Sequence, residues 1–275
     1  MKIRRWSTAG LAAALLLSGL TACAPGGTTP GAGTTPSATG SGSPASSDEA
    51  KRVLLASTAE LAKGNFKFAI GSDQVTGDGW VHQASQSAQM RTRFLDSAGN
   101  VTTDITLVYR GSDAWVQLKL DEKSAKSLPG AQQFISDKFL HLDKNKIKNA
   151  KNLRLDMADP AGSEQLTKAV VEVRQDSAGS FSGKIDLAKA TGARLLDNIA
   201  VDGLPAQGST VPFTAKLDGE NRLRELAIQL PAVGTAKAQT LRLSYSDYGA
   251  AEPAEAPPAN EVTEAPEQLY TLFNQ

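Results

Sequence analysis

Cysteine is almost missing from this sequence: of 275 residues, Cys23 alone carries a thiol. No intramolecular disulfide framework can form, and no CxxC pair or His/Cys cluster offers a zinc site. Histidine is nearly as scarce. His82 and His141 lie in separate segments, so triads and metal centres have little to build on. No nucleophile–base pair emerges, which points away from an enzyme, and no cofactor is implied. A charge excess is lacking too, with 29 basic against 29 acidic residues. There is no basic stripe for nucleic acid and no acidic tail. Aromatic residues make up only 5% of the chain, but 40% is apolar, enough for one core.

Long apolar runs are also wanting. Ala9 to Leu17, interrupted by Gly10, is too short and broken for a stable transmembrane helix. Preceded by Lys2, Arg4 and Arg5 and followed by small residues at Thr21 and Ala22, it reads as a secretory signal over 1–22. Removing that signal leaves 26 basic against 29 acidic residues in a chain that works outside the cytoplasm.

Leu20-Thr21-Ala22-Cys23 resembles the bacterial lipobox. That resemblance implies diacylglyceryl attachment to the Cys23 thiol and cleavage just before it. The competing reading takes Ala22-Cys23-Ala24 as an ordinary A-x-A cleavage pattern in which the cysteine is discarded. A Leu at the right offset, a sole Cys at the end of the apolar run and the segment behind it favour the lipobox. Two acyl chains anchor durably where one binds only marginally. The expectation is a protein attached by lipid to the extracytoplasmic side of the cell membrane. Ala24 to Ser47 holds only Ala, Gly, Pro, Ser and Thr, so 23–47 reads as a lipidated residue plus a disordered tether. Such a chain reaches roughly 25–30 Å.

The folded part is expected over 48–275. Ser46 and Glu49 have capping-box spacing, and a helix over 48–63 closes at Gly64. From Phe66 the period becomes two. Phe66, Phe68 and Ile70 alternate with polar or small residues, as do Met90, Thr92 and Phe94. Ile105, Leu107 and Tyr109 share a face, and Val116, Leu118 and Leu120 continue the pattern. Later come Phe181, Ile185 and Leu187; Val211, Phe213 and Ala215; Leu226, Ile228 and Leu230; and Leu241, Leu243 and Tyr245. Strict alternation predicts antiparallel strands with one buried face. Helices are few: one opening at Asp159-Pro160 and ending near Val170, short ones near 132–137 and 192–198, and a C-terminal turn from Pro266 with Leu269, Leu272 and Phe273. The order is a helix, four or five strands, a helical insertion, then about five more strands. That is an α+β fold with a large, curved antiparallel sheet.

SFSGKIDLAKATG (180–192), LDGENRLRELAIQLP (217–231) and the Ser-Asp-Tyr-Gly (246–249) with its proline-containing tail resemble actinobacterial envelope lipoproteins of the LppX/LprG type. The resemblance covers Ser46 to Gln275. It implies a half-barrel similar to the LolA/LolB carriers, with helices on the concave face of the sheet and an apolar cavity between them. It also implies carriage or presentation of an envelope lipid or lipoglycan, a phospholipid or glycolipid, without chemistry on it. A dry aliphatic cavity suits that task. The residues expected to line it are Phe66, Phe68, Ile70, Met90, Phe94, Ile105, Leu107, Tyr109, Val116, Leu118, Phe181, Ile185, Phe213, Leu226, Ile228 and Leu243. Taken singly, each of them reads first as ordinary core; a cavity is a property of the set. The alternative function is a non-catalytic envelope scaffold or sensor with a filled core and a protein partner that the sequence does not name.

Trp115 falls on the polar parity, as a rim contact or beneath a loop, and Trp80 lies in or beside a strand. The two histidines read as surface or strand-end residues. The lysine-rich run 144–151 reads as a solvated loop, with anionic headgroups as the alternative. Asp121-Glu122 reads as a turn rather than a glycosidase pair.

Overall fold

A computed structural model describes residues 46–127, 135–147, 158–190, 209–232 and 237–274. Its strands are β1 (Asn65–Gly71), β2 (Val75–His82), β3 (Ser87–Leu95), β4 (Val101–Arg110), β5 (Asp113–Leu120), β6 (Phe139–Asp143), β7 (Val170–Ser177), β8 (Ser180–Asp186), β9 (Thr210–Leu217), β10 (Leu223–Leu230), β11 (Gln239–Ser246) and β12 (Val262–Glu264). Four α-helices accompany them among the described residues: α1 (Ser47–Ala56), α2 (Glu122–Ser127), α3 (Ser163–Lys168) and α4 (Glu267–Phe273). The strands form one open, curved sheet in the order β12-β6-β5-β4-β3-β2-β1-β11-β10-β9-β8-β7. Every neighbouring pair is antiparallel except β12 with β6, which is parallel.

The register explains the alternation. Phe68 stands opposite Tyr245 and Ile70 opposite Leu243, while Leu243 in turn faces Leu226. Ile228 faces Phe213, and Ile185 faces Val211. In the other direction Phe66 faces Val81, Gly79 faces Met90, Met90 faces Leu107, and Leu107 faces Val116. Directly opposed residues point to one side of a sheet, so this apolar set forms a single continuous face. The opposite face carries ion pairs such as Arg91–Asp104 and Lys184–Glu172.

β2 escapes the periodicity because Gly77 and Gly79 occupy two of its apolar-face positions. Gly79 is there for space. A Cβ on it would stand 2.3 Å from the Gln89 carbonyl oxygen and 2.9 Å from the Phe68 ring, so β2 and β3 approach where only hydrogen fits. β6, β7 and β12 also lie outside the eight strands expected from the alternation, and six strands rather than four or five precede α3.

The helix expected over 48–63 is split. α1 begins as the capping spacing predicts, with the Ser46 hydroxyl accepting from the Glu49 N–H at 3.3 Å, but it stops at Ala56. The Ser57 and Thr58 hydroxyls donate back to the Leu54 and Leu55 carbonyls, and the Ser57 carbonyl accepts the Leu223 N–H of β10. A separate 3₁₀ turn, Ala59–Lys63, then ends at Gly64 with φ +60°. α3 likewise starts later than Asp159-Pro160 suggests. Asp159 caps it from outside the first turn, accepting the N–H groups of Ser163 and Glu164 at 2.9 and 2.7 Å. α4 follows Pro266 as expected. Residues 135–138 are not helical, and the rest of 132–137 and all of 192–198 lie outside the described residues.

Among the described residues, two different covers lie on the apolar face. α1 and α3 bury it over β1 and β7–β11, where Ala50, Leu54 and Leu166 join one core cluster with Phe66, Ile185 and Leu226. α4 covers the other end, placing Leu269 and Tyr270 on Tyr109, Ala114, Leu140 and Leu142. The chain gets there by a proline-bearing strap, residues 247–261, across the opposite face. Ala251 N–H donates to Asn65 Oδ1, Ala254 N–H to Ser87 Oγ, and Ala254 is buried against Val108 and Trp115. Trp115 is therefore a core residue beneath the strap, 9% exposed, rather than a rim contact.

Candidate functional site

All sixteen residues expected to line a ligand cavity lie on the one apolar face, but its covers divide them. Phe66, Phe68, Ile70, Phe181, Ile185, Phe213, Leu226, Ile228 and Leu243 are buried in the α1/α3 cluster, none more than 7% exposed. Tyr109 is buried under α4. The remaining six, Met90, Phe94, Ile105, Leu107, Val116 and Leu118, are only half-buried. Thr92, Thr103 and Leu120 are half-buried beside them on the same face. On β3, β4 and β5 the apolar face thus stays partly open between its two covers. Apolar surface left partly wet over several adjacent strands is uncommon without something to meet it.

The closed half is fixed by a small polar cluster. Tyr245 from β11 and Ser163 from α3 share a 2.7 Å hydrogen bond between hydroxyls, and the Tyr245 hydroxyl donates to Asp159 Oδ1 at 3.4 Å. Burial pushes the Tyr245 phenol well above the usual tyrosine range, and the Asp159 charge adds to this. The hydroxyl stays protonated and ties α3 to the sheet. Between the 3₁₀ turn and α3 lies a pocket of about 320 Å³ with Leu55, Leu61, Thr167 and Lys168 in its wall.

His82 ends β2 as expected, its Nδ1 2.7 Å from Ser85 Oγ in a local turn. His141 departs from a strand-end role. It lies within β6, stacks on Trp115 with ring centroids 5.5 Å apart, and stands between two carboxylates. Nε2 is 2.8 Å from Asp113 and Nδ1 3.0 Å from Glu264. Partial burial disfavours its charged form, but the hydrogen bonds to Asp113 and Glu264 outweigh that and leave its pKa above the ordinary imidazole value. From the lysine-rich run, Lys146 pairs with Glu267 at 3.1 Å and sits over the Tyr270 ring, securing α4. Residues 148–151 of that run, and Cys23, lie outside the described residues. Asp121-Glu122 opens a helix rather than a turn: Asp121 caps α2, accepting the Ser124 N–H at 2.7 Å, and Glu122 is its first residue.

No protein-family model matches the chain, and no curated protein matches it. Among solved structures it is similar to the one described as the crystal structure of MucB in complex with MucA(peri), at 13% identity and a TM-score of 0.24, over 78% of this chain. The chain spans about three-fifths of that protein, 62% of its length. A likeness at this level carries no argument about what the chain does.

Proposed function

We propose that the protein is a lipid-anchored extracytoplasmic lipoprotein that binds and carries or presents an envelope lipid on its apolar face, as a member of the LppX/LprG type. The observation that carries the reading is the half-buried patch of Met90, Phe94, Ile105, Leu107, Val116 and Leu118 beside a closed core. Acyl chains laid there would remove apolar surface from water, worth about 25 cal/mol per Å². The helices that cover the face would then stand on the concave side of a half-barrel, and Cys23 would hold the domain at the membrane. The polar side chains near the patch, Thr92 and Thr103, offer hydroxyls rather than a nucleophile–base pair, which suits carriage better than catalysis.

Native mass spectrometry of residues 48–275 tests this. A co-purifying phospholipid or glycolipid mass is expected. A clean apo mass together with failure to take up a fluorescent phospholipid would overturn carriage and favour a scaffold that meets a protein partner through the same patch.

A further inference from the structure

His141 is held by two carboxylates from two different elements, Asp113 on β5 and Glu264 on β12. A neutral imidazole has one N–H and can satisfy one of them; its other nitrogen then turns a lone pair toward the second carboxylate. Only the imidazolium donates to both. Asp143, two residues along β6 on the same face, adds a third negative group, although its Oδ1 also accepts the Asn145 N–H. The apolar Trp115 ring lies alongside it.

Glu264 is the last residue of β12, a strand of three residues that holds the chain between the strap and α4. The Ala265 N–H donates to the His141 carbonyl at 3.0 Å, so His141 grips this segment by main chain and side chain together. Beyond it, α4 covers Tyr109, Leu140 and Leu142, which adjoin the half-buried Leu107 and Val116.

We propose that His141 is a pH-sensitive latch on the C-terminal clamp: protonated, it holds β12 and α4 against the sheet, and neutral, it loosens them and widens the open apolar face. A group favoured in its charged form by the fold contributes its stabilisation below its unfolded pKa and loses it as pH rises through its folded pKa. The clamp is therefore tight at mildly acid pH and looser at alkaline pH. The latch does not require that the open face hold lipid.

Hydrogen–deuterium exchange of the full chain in detergent tests it between about pH 5 and pH 9, across the range where histidine titrates, with rates corrected for intrinsic exchange. Exchange at β12 and Ala265 is expected to rise with pH by roughly two- to fivefold, the weight of one partly exposed charge pair. β10 and β11 should show no such step. Glu264→Gln should flatten the step, because the amide can accept from a ring N–H or donate to a ring lone pair. Asp113→Asn should do the same from the other side. A flat wild-type profile, a step of equal size at β10 and β11, or a step that survives both variants would each overturn the latch.

Discussion

Substituting alanine for Leu243 and for Leu118 separates a filled core from a ligand face. Both leucines occupy the same side of the sheet, but Leu243 is 0% exposed beneath α1 and α3, whereas Leu118 is half-buried at the open patch. Truncating Leu243 removes fully buried methyl groups and leaves a cavity, a loss of about 2–5 kcal/mol. Truncating Leu118 removes a side chain that already meets water over part of its surface. Half of the transfer energy of a leucine, with little cavity term, comes to about 1 kcal/mol. Urea denaturation followed by tryptophan fluorescence measures both. Uptake of a fluorescent phospholipid should behave inversely: diminished by Leu118→Ala and more strongly by Ile105→Glu, and retained by Leu243→Ala at temperatures where that variant is folded. Equal losses of stability for the two alanines, with uptake unchanged in every variant, would refute the division of the face into core and site.

Cys23→Ser is expected to release the protein from membranes into the medium, and fractionation that still finds it membrane-bound would contradict lipid attachment. Gly79→Ala places a Cβ 2.3 Å from the Gln89 carbonyl oxygen and should cost about 1–3 kcal/mol, as overpacking does. Gly71→Ala, with no heavy atom within 4 Å of the added Cβ, is its control and should change the urea midpoint little. Tyr245→Phe strips a hydroxyl from a buried polar cluster and should lower stability by about 1–3 kcal/mol, read by thermal unfolding; no change would mean that Ser163 and Asp159 do not depend on it.

What could be read in the sequence was whatever repeats at period two. Phe66 to Ile70 and Leu241 to Tyr245 show their buried face in the alternation alone, and register then needs only that such faces be matched. β2 is hidden because its face is opened by Gly77 and Gly79, which carry no apolar side chain to count. β12 is hidden because three residues are too few for a period, and it pairs with β6 across more than a hundred residues of chain. The split of α1 depends on a partner equally distant, the Leu223 N–H that takes the Ser57 carbonyl. The same limit applies to the site. Alternation placed Leu118 and Leu243 on one face correctly but could not tell them apart, because the difference between them is what lies above.

What lies above is decided by where the chain crosses between faces. α1 and α3 enter directly beside β7 and bury the half of the sheet around β8–β11. The far half is reached by α4, only 7 residues long, after the strap has passed over the opposite face and β12 has turned the edge beside β6, and α2 lies against β4 and β5 there. Among the described residues α4 reaches Tyr109, Ala114, Leu140 and Leu142, while Met90, Phe94, Ile105 and Leu118 are half-buried. The extent of the open patch depends on how firmly α4 is held: Leu269 and Tyr270 are buried on the sheet, and the contacts that add to them (Lys146 to Glu267, Asp143 N–H to the Tyr270 hydroxyl, and His141 to Glu264) are polar and lie at the sheet's edge. Polar contacts at an edge respond to salt and pH where the buried apolar contacts of α1 and α3 do not. The half of the sheet that α1 and α3 cover is therefore the stable scaffold, and the half under α4 is where a modest change in solution conditions alters how much apolar surface the protein presents.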